Sequence, residues 1–405
     1  MKNFLRVAIG PSTNGFRRYW LALCVTMFGT FAGAVALGVR LFDQTHSATY
    51  ASLVYLAEFL PIVVIGLFLG RSLDRRRPIA TLVVVEGIAA IGWLVLVVVD
   101  RPPIVIAIAF ATGACAGIYK VVSTTATSLL VDEDELDAAN ASTVSIDNAA
   151  TLIGYAAGGA LIGATSPELV LGLNAITFLI SAGLLATLPR IPAQLTDQPV
   201  EERFLDRVTL GARRMWADRL LRVSLLSLPL ATAAIGFTNS LEIPYLRGVA
   251  GLGTFSIGLI LAAQSIGVVI GAYITPFLPR RLWVFVAALL MLGLPLVVVI
   301  QTRDVTVIIG AVFLIGLANA VLLVRNRGFL QTQTATHERS SVIAFFYVAT
   351  YSLGALGAAV AGPFADRTSV ITGIVVGICL YGLAAIGGAV ASLSAVAEPA
   401  IVGEP

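Results

Sequence analysis

Residues Thr49 to Arg76 read TYASLVYLAEFLPIVVIGLFLGRSLDRR. A nearly unbroken apolar run gives way at Gly70 to a dense basic patch. A helix rises about 1.5 Å per residue, so about 20 apolar residues cross the roughly 30 Å of a bilayer's hydrocarbon. The stretch therefore reads as a membrane span followed by a positively charged loop. It recurs 205 positions on, where Thr254 to Arg281 reads TFSIGLILAAQSIGVVIGAYITPFLPRR. Ten of the 28 positions are identical, including Val63-Val64-Ile65-Gly66 against Val268-Val269-Ile270-Gly271. A span and its loop repeated half a chain apart predict a parallel duplication, with a binding site near the midplane between the two copies.

Composition carries the same reading along the rest of the chain. The 405 residues are 58% hydrophobic and 12% charged, whereas a soluble domain carries about 25% charged residues. The mean hydropathy is +0.93. Apolar runs fall near 19–41, 48–70, 79–99, 104–131, 139–163 and 169–189, then near 223–246, 254–278, 282–301, 305–324, 341–363 and 369–391. They are too long for barrel strands and lack sustained alternation, so they predict helices. The expected fold is an all-α membrane protein of twelve transmembrane helices, in two six-helix bundles related by a pseudo-two-fold axis. Residues 1–190 would form the first bundle and 223–405 the second. Residues 191–222, with Pro192, Pro199 and the mixed charges Glu201-Glu202-Arg203 and Asp206-Arg207, would form a cytoplasmic linker. Within it, Phe204 to Met215 predicts an amphipathic helix on the membrane surface, with a plain solvated tether as the alternative.

The charges orient this set. With the N-terminus inside, the N-terminal segment and the even-numbered connections hold 20 of the 26 basic residues, the odd-numbered connections hold five (Arg40, Arg101, Arg247, Arg303 and Arg367), and Lys120 lies within a span. Cytoplasmic loops carry the Lys/Arg excess, so both termini are expected in the cytoplasm. The net charge of +3 is then a topology signal and calls for no nucleic acid. The first 18 residues lack a small-residue cleavage site before the first apolar run and read as a retained cytoplasmic segment. Cys24, Cys115 and Cys379 each sit inside an apolar run, where a small hydrophobe fits, which argues against a disulfide framework.

Two motifs connect this architecture to a known family. Gly70-Arg71-Ser72-Leu73-Asp74-Arg75-Arg76-Arg77-Pro78 resembles the signature between helices two and three of the major facilitator superfamily, G-x-x-x-D-R-x-x-[RK]. Asp74 and Arg75 stand at its strictest positions, Arg76 and Arg77 supply the basic cluster, and Arg77 falls where many members carry Gly. The resemblance implies that these residues form a cytoplasmic latch between the halves, with Gly70 allowing close helix packing. Farther on, Asp132-Glu133-Asp134-Glu135-Leu136 and Ala139-Asn140-Ala141 lead into Ile153-Gly154-Tyr155-Ala156-Ala157-Gly158-Gly159. This is similar to the enterobactin-exporter and macrolide-efflux branch, the secretion-effector type. Gly154, Gly158 and Gly159 match its antiporter glycine motif, while Tyr155 replaces its Pro and Thr151 an Arg common there. In the second half, His337-Glu338-Arg339 precedes a span ending Gly362-Pro363-Phe364-Ala365-Asp366-Arg367, as in the same branch.

Six charges fall inside the spans or, for Arg325, at the very end of one: Glu58, Glu86, Lys120, Asp147, Glu242 and Arg325. Each costs at least about 2.5–3.5 kcal/mol at the bilayer centre, which makes it a functional candidate by default. Glu58 and Lys120 reach similar depths, and an ion pair between them would lower the cost of both. Glu58 has Ala263 as its repeat counterpart, so the acid belongs to one half. Glu58, Lys120, Asp147 and Glu242 are the candidates for proton coupling or for contact with substrate. The plainer alternatives are a static pair for Glu58, snorkelling for Lys120 and an interfacial cap or gate for Glu242. Glu86 and Arg325 approach the cytoplasmic ends of spans three and ten, where structural pairing or snorkelling is expected.

Enzymatic readings find no foothold. There is no G-x-x-x-x-G-K-[ST] phosphate loop, and His46 and His337 lie in opposite loops. No cofactor and no metal is implied. The sequence therefore predicts a secondary active transporter of a bacterial cytoplasmic (inner) membrane, monomeric in the bilayer. It would export amphipathic small molecules, a drug or a siderophore-like metabolite, by proton-coupled alternating access. Helices one, four, seven and ten would line its path, as the resemblance implies. The rivals are a lipid or lysophospholipid flipping carrier, with Lys120 receiving a phosphate, and a non-transporting membrane sensor or assembly factor.

Overall fold

The computed structural model describes residues 13–68, 77–189, 204–279, 282–335 and 338–396. They are almost entirely helical. In chain order the helices are α1 (Asn14–Thr45), α2 (Ala48–Phe68), α3 (Pro78–Val98), α4 (Pro102–Leu130), α5 (Leu136–Ala164), α6 (Pro167–Ala186), α7 (Phe204–Ala217), α8 (Arg219–Ser240), α9 (Thr254–Ile274), α10 (Leu282–Val299), α11 (Val305–Gln333), α12 (Arg339–Arg367) and α13 (Val370–Val396). A six-residue π-turn, Pro244–Val249, follows α8. The boundaries have local causes. Proline opens α3, α4 and α6 at positions whose N–H would go unpaired in any helix. Asp304 caps α11 by accepting from the Thr306 N–H at 2.8 Å. His46 ends α1 in the left-handed conformation, returning its N–H to the Phe42 carbonyl.

Among the described residues, nine helices are long and apolar enough to cross a membrane. Two more, Ala48–Ile62 of α2 and Trp283–Val299 of α10, are apolar but shorter. The remaining expected span, α5, carries Asp137, Asn140, Ser142, Thr143, Ser145 and Asp147 in its first half, which lowers its hydropathy. Large apolar side chains such as Ile91, Leu94, Val98, Ile176, Leu179, Leu383 and Ile386 point outward. Such exposure would be ruinous in water, but it is the ordinary surface of a helix facing lipid.

The chain divides into two compact units. The first comprises Met1–Pro199 with Glu242–Ser265, and the second Val200–Leu241 with Ile266–Pro405. In the first, α1 packs on α5 and α6, and α3 packs on α4 and α6; in the second, α8 packs on α12 and α13, and α10 on α11 and α13. The partners of α8 and α10 thus correspond, seven labels on, to those of α1 and α3. Small residues make these approaches close. A Cβ at Gly158 would stand 2.7 Å from the Ala32 Cα, and one at Gly117 would stand 2.9 Å from the Ile62 Cα. In hydrocarbon, where burial itself gives no drive, such packing and interhelical hydrogen bonds hold helices together. Asn174 of α6, fully buried, lies over Gly29 and Gly33 of α1. Ser224 of α8 donates to Asn326 of α11 at 2.5 Å.

Candidate functional site

The polar and charged side chains of the first unit fall into three groups. The first is a half-open patch on α2, α5 and the residues that follow α8. Glu58 and Tyr55 of α2, Tyr155 of α5 and Glu242 are each partly exposed. Both carboxyls and Tyr55 lie within electrostatic reach of the Tyr155 hydroxyl. The Tyr155 ring meets Phe31 of α1 edge to face, with centroids 5.3 Å apart. Among the described residues neither Glu58 nor Glu242 forms an ion pair. Two carboxyls without a cation, faced by aromatic rings, can exchange protons and present apolar surface at one place.

The second group changes an expectation. Lys120 of α4 does not pair with Glu58; its Nζ lies 3.4 Å from Asp147 Oδ2 of α5, with side-chain exposures of 62% and 43%. The reason lies in helix rotation. Depth brings Lys120 level with several acids, but the face of α4 that carries it turns toward α5, while Glu58 turns toward Tyr155. Glu86 differs as well. It is only 2% exposed, and the Thr26 hydroxyl of α1 reaches both of its carboxyl oxygens at 3.2 and 3.3 Å. It neither snorkels nor meets a cation among the described residues, because the face of α3 that carries it looks into the bundle. Arg325 is structural: its guanidinium collects the carbonyls of Thr275, Leu278 and Pro279 beyond the end of α9.

The third group lies where α1 ends. Arg247, in the π-turn, makes a two-pronged ion pair with Asp43, Nε to Oδ1 at 2.8 Å and Nη2 to Oδ2 at 2.9 Å, and its Nη1 donates to the Leu252 carbonyl. Beside it a Cβ on Gly248 would meet the Phe42 ring at 2.6 Å. At the repeat offset of 205, Phe42 corresponds to Arg247 and Asp43 to Gly248. Residue 42 thus touches 248 while 43 touches 247. Neither residue was among the sequence candidates, since each reads as an ordinary loop charge; the repeat offset is the one signal that could have found them. Deeper in the same unit, Arg40 is 5% exposed and gathers the carbonyls of Leu96 and Val99, Asp100 at 2.5 Å and Glu168 at 3.2 Å.

The glycine motif of α5 has two faces. Gly154 and Gly158 lie against Phe31, Phe28 and Ala32 of α1, while Gly159 lies against Gly258 of α9, where a Cβ would stand 2.5 Å from the Gly258 Cα. Of the latch motif, Gly70, Asp74, Arg75 and Arg76 lie outside the described residues; Arg77 precedes α3, its carbonyl accepting from the Thr81 hydroxyl and N–H at 3.0 Å. Among the described residues no group of three or more His, Cys, Asp or Glu could hold a metal ion.

Comparison with known proteins places this arrangement. The Multidrug efflux pump Tap of Mycolicibacterium fortuitum is 26% identical over 350 residues, covering 82% of this chain and 84% of Tap. In fold, the chain resembles the nucleoside transporter NupG, with a TM-score of 0.77 at 14% identity over 94% of this chain and 99% of that one. A bacterial homologue of the iron transporter ferroportin gives 0.69 at 15% identity, over 96% and 99%. The family model of the Major Facilitator Superfamily matches residues 19–358. The protein is therefore a multi-pass membrane transporter, not an enzyme, and it belongs to the Major Facilitator Superfamily.

Proposed function

We propose that this chain exports amphipathic small molecules, of the drug or siderophore-like class, in exchange for protons across a bacterial cytoplasmic membrane. The observation that carries the reading is the patch of Glu58, Glu242, Tyr155, Tyr55 and Phe31. A carboxyl with no cation beside it changes the local charge by a full unit when it gains or loses a proton. In a low-dielectric setting that change is felt strongly by neighbouring groups. Aromatic rings at the same place suit a greasy substrate. The likeness to a multidrug efflux pump supports the direction of transport.

In this reading twelve spans form two six-helix halves, residues 1–190 and 223–405, linked by 191–222, with both termini in the cytoplasm; the 20-to-five partition of basic residues between the two sides supports the orientation. The halves rock about the patch, and the protein works as a monomer. Asp74 with Arg75, Arg76 and Arg77 latches the cytoplasmic side. Asp43 with Arg247 clasps the opposite side, and the close approach of Gly159 to Gly258 belongs to the same closure. Glu58 and Glu242 carry the coupling protons. The Lys120–Asp147 pair is open enough to be exchanged for a charged substrate group.

Purified protein in liposomes, loaded with ethidium and given an inward proton gradient, tests this. The expected result is gradient-dependent loss of dye that collapses with a protonophore. Dye movement indifferent to the gradient would overturn the coupling. No flux of any cationic dye, siderophore or lysolipid would favour the sensor reading instead.

A further inference from the structure

The two faces of the linker helix α7 differ sharply. The inner face is bolted to α12 of its own unit: Gly211 abuts the Ser341 carbonyl, Met215 is fully buried, and Arg214 pairs with Glu338 at 2.8 Å. This is no solvated tether. The outer face carries Leu210, Arg213 and Trp216, spaced by three and all exposed, Trp216 at 59%. Arg222, at the start of α8, folds back over the indole. Its guanidinium carbon lies 5.8 Å from the ring centroid, and its Nε donates to the Trp216 carbonyl at 2.9 Å. That leaves its two terminal nitrogens with no partner among the described residues. Arg213 likewise makes no ion pair there, while Asp218 is occupied in capping α8 through the Leu221 N–H.

Position says what faces this surface. The apolar span of α8 begins at Ser224, two residues beyond Arg222, so the Trp216–Arg222 stack stands at the membrane edge. Tryptophan prefers that interface because its ring is apolar and its N–H wet. Residues 204–222 contain five arginines and two aspartates, a local excess of positive charge. A guanidinium held over an indole presents a fork that matches phosphate oxygens.

We propose that Trp216, Arg213 and Arg222 form a seat for the phosphate headgroup of an anionic phospholipid of the cytoplasmic leaflet. The proposal rests on the cytoplasmic placement of the linker and not on the nature of the transported substrate. Because the inner face of α7 holds Glu338 and Ser341, a seated lipid would also fix the start of α12 at the membrane surface.

The test uses the full-length protein in nanodiscs of phosphatidylcholine doped with brominated phosphatidylglycerol or brominated phosphatidylcholine. Subtracting the emission of W216F from that of the unaltered protein isolates Trp216 from the other three tryptophans. The expected result is stronger quenching by the brominated anionic lipid. That preference should fall about fivefold for each of R213Q and R222Q, since one juxtamembrane arginine is worth about that factor. R214Q, whose side chain faces Glu338, should leave the preference intact, which controls for loss of folding. Equal quenching by both lipids would reduce Trp216 to a neutral interfacial anchor and overturn the proposal. No quenching by either would place α7 away from the bilayer and overturn it together with the topology it rests on. Loss of the preference in millimolar inorganic phosphate, with zwitterionic quenching unchanged, would mean that the seat takes free phosphate, and would also overturn it.

Discussion

Removing the Asp43–Arg247 clasp should bias the transporter toward the state open on that side. The pair is two-pronged, at 2.8 and 2.9 Å, but a third or more of each side chain is exposed, 39% for Asp43 and 33% for Arg247. Water screens much of the Coulomb attraction, so the pair is worth about 1 kcal/mol and not the several a buried pair could return. Asp43→Asn should therefore raise the open population about fivefold. Arg247→Gln also loses the hydrogen bond to the Leu252 carbonyl, which adds about 1 kcal/mol and brings the shift to roughly thirtyfold. Spin labels at Gln44→Cys and Gly253→Cys, both exposed positions, would report it by pulsed electron resonance in a background with Cys24, Cys115 and Cys379 replaced by serine. The distance distribution should gain a longer component in both variants. The exchange D43R/R247D should recover part of the short component, because it restores the pair with reversed charges. High salt should mimic Asp43→Asn. An unchanged distribution in Asp43→Asn, or an exchange variant as open as either single change, would show that the pair does not hold this side closed.

Three further outcomes follow from the same geometry. Gly159→Val should abolish transport without unfolding the protein, since its Cβ alone would stand 2.5 Å from Gly258 Cα; normal transport by this variant would show that the approach is not used. Arg40→Gln should lower the unfolding midpoint in detergent, at a cost of about 2 kcal/mol, because the Leu96 and Val99 carbonyls lose their buried donor while Asp100 and Glu168, both exposed, turn to water; Arg40→Lys should recover part of it. Lys120→Gln should change stability by less than about 1 kcal/mol, because the pair with Asp147 is largely exposed, so a loss of dye transport in that variant marks a role in substrate handling and not in folding.

The helices are legible because apolar runs of bilayer length leave few alternatives, and the basic loops and the Asp74 motif point to the family in the sequence itself. Where reading failed, it failed on rotation. Sequence gives the depth of Lys120 and Glu58 along their helices, but partner choice depends on which way each helix face turns, and Asp147 won Lys120 for that reason. Glu86 shows the same limit: a position seven residues into its span suggested the interface, yet its face points inward to Thr26. Arg40 and Arg247, counted as loop charges, became the organising cations of the first unit because carbonyls at the end of α3 and the carboxylate of Asp43 converge on them only in three dimensions. The glycine motif is visible in sequence as Gly154, Gly158 and Gly159, but that one face serves α1 and the other α9 is a property of the fold.

In the proposed cycle Glu58 and Glu242 couple protons to substrate without being needed to move it. Counterflow and gradient-driven transport in the same liposomes separate the two. The double variant E58Q/E242Q should exchange labelled for unlabelled dye at close to the rate of the unaltered protein, and should lose accumulation against a gradient when a pH difference is imposed. Accumulation driven by pH that survives in E58Q/E242Q would contradict the account.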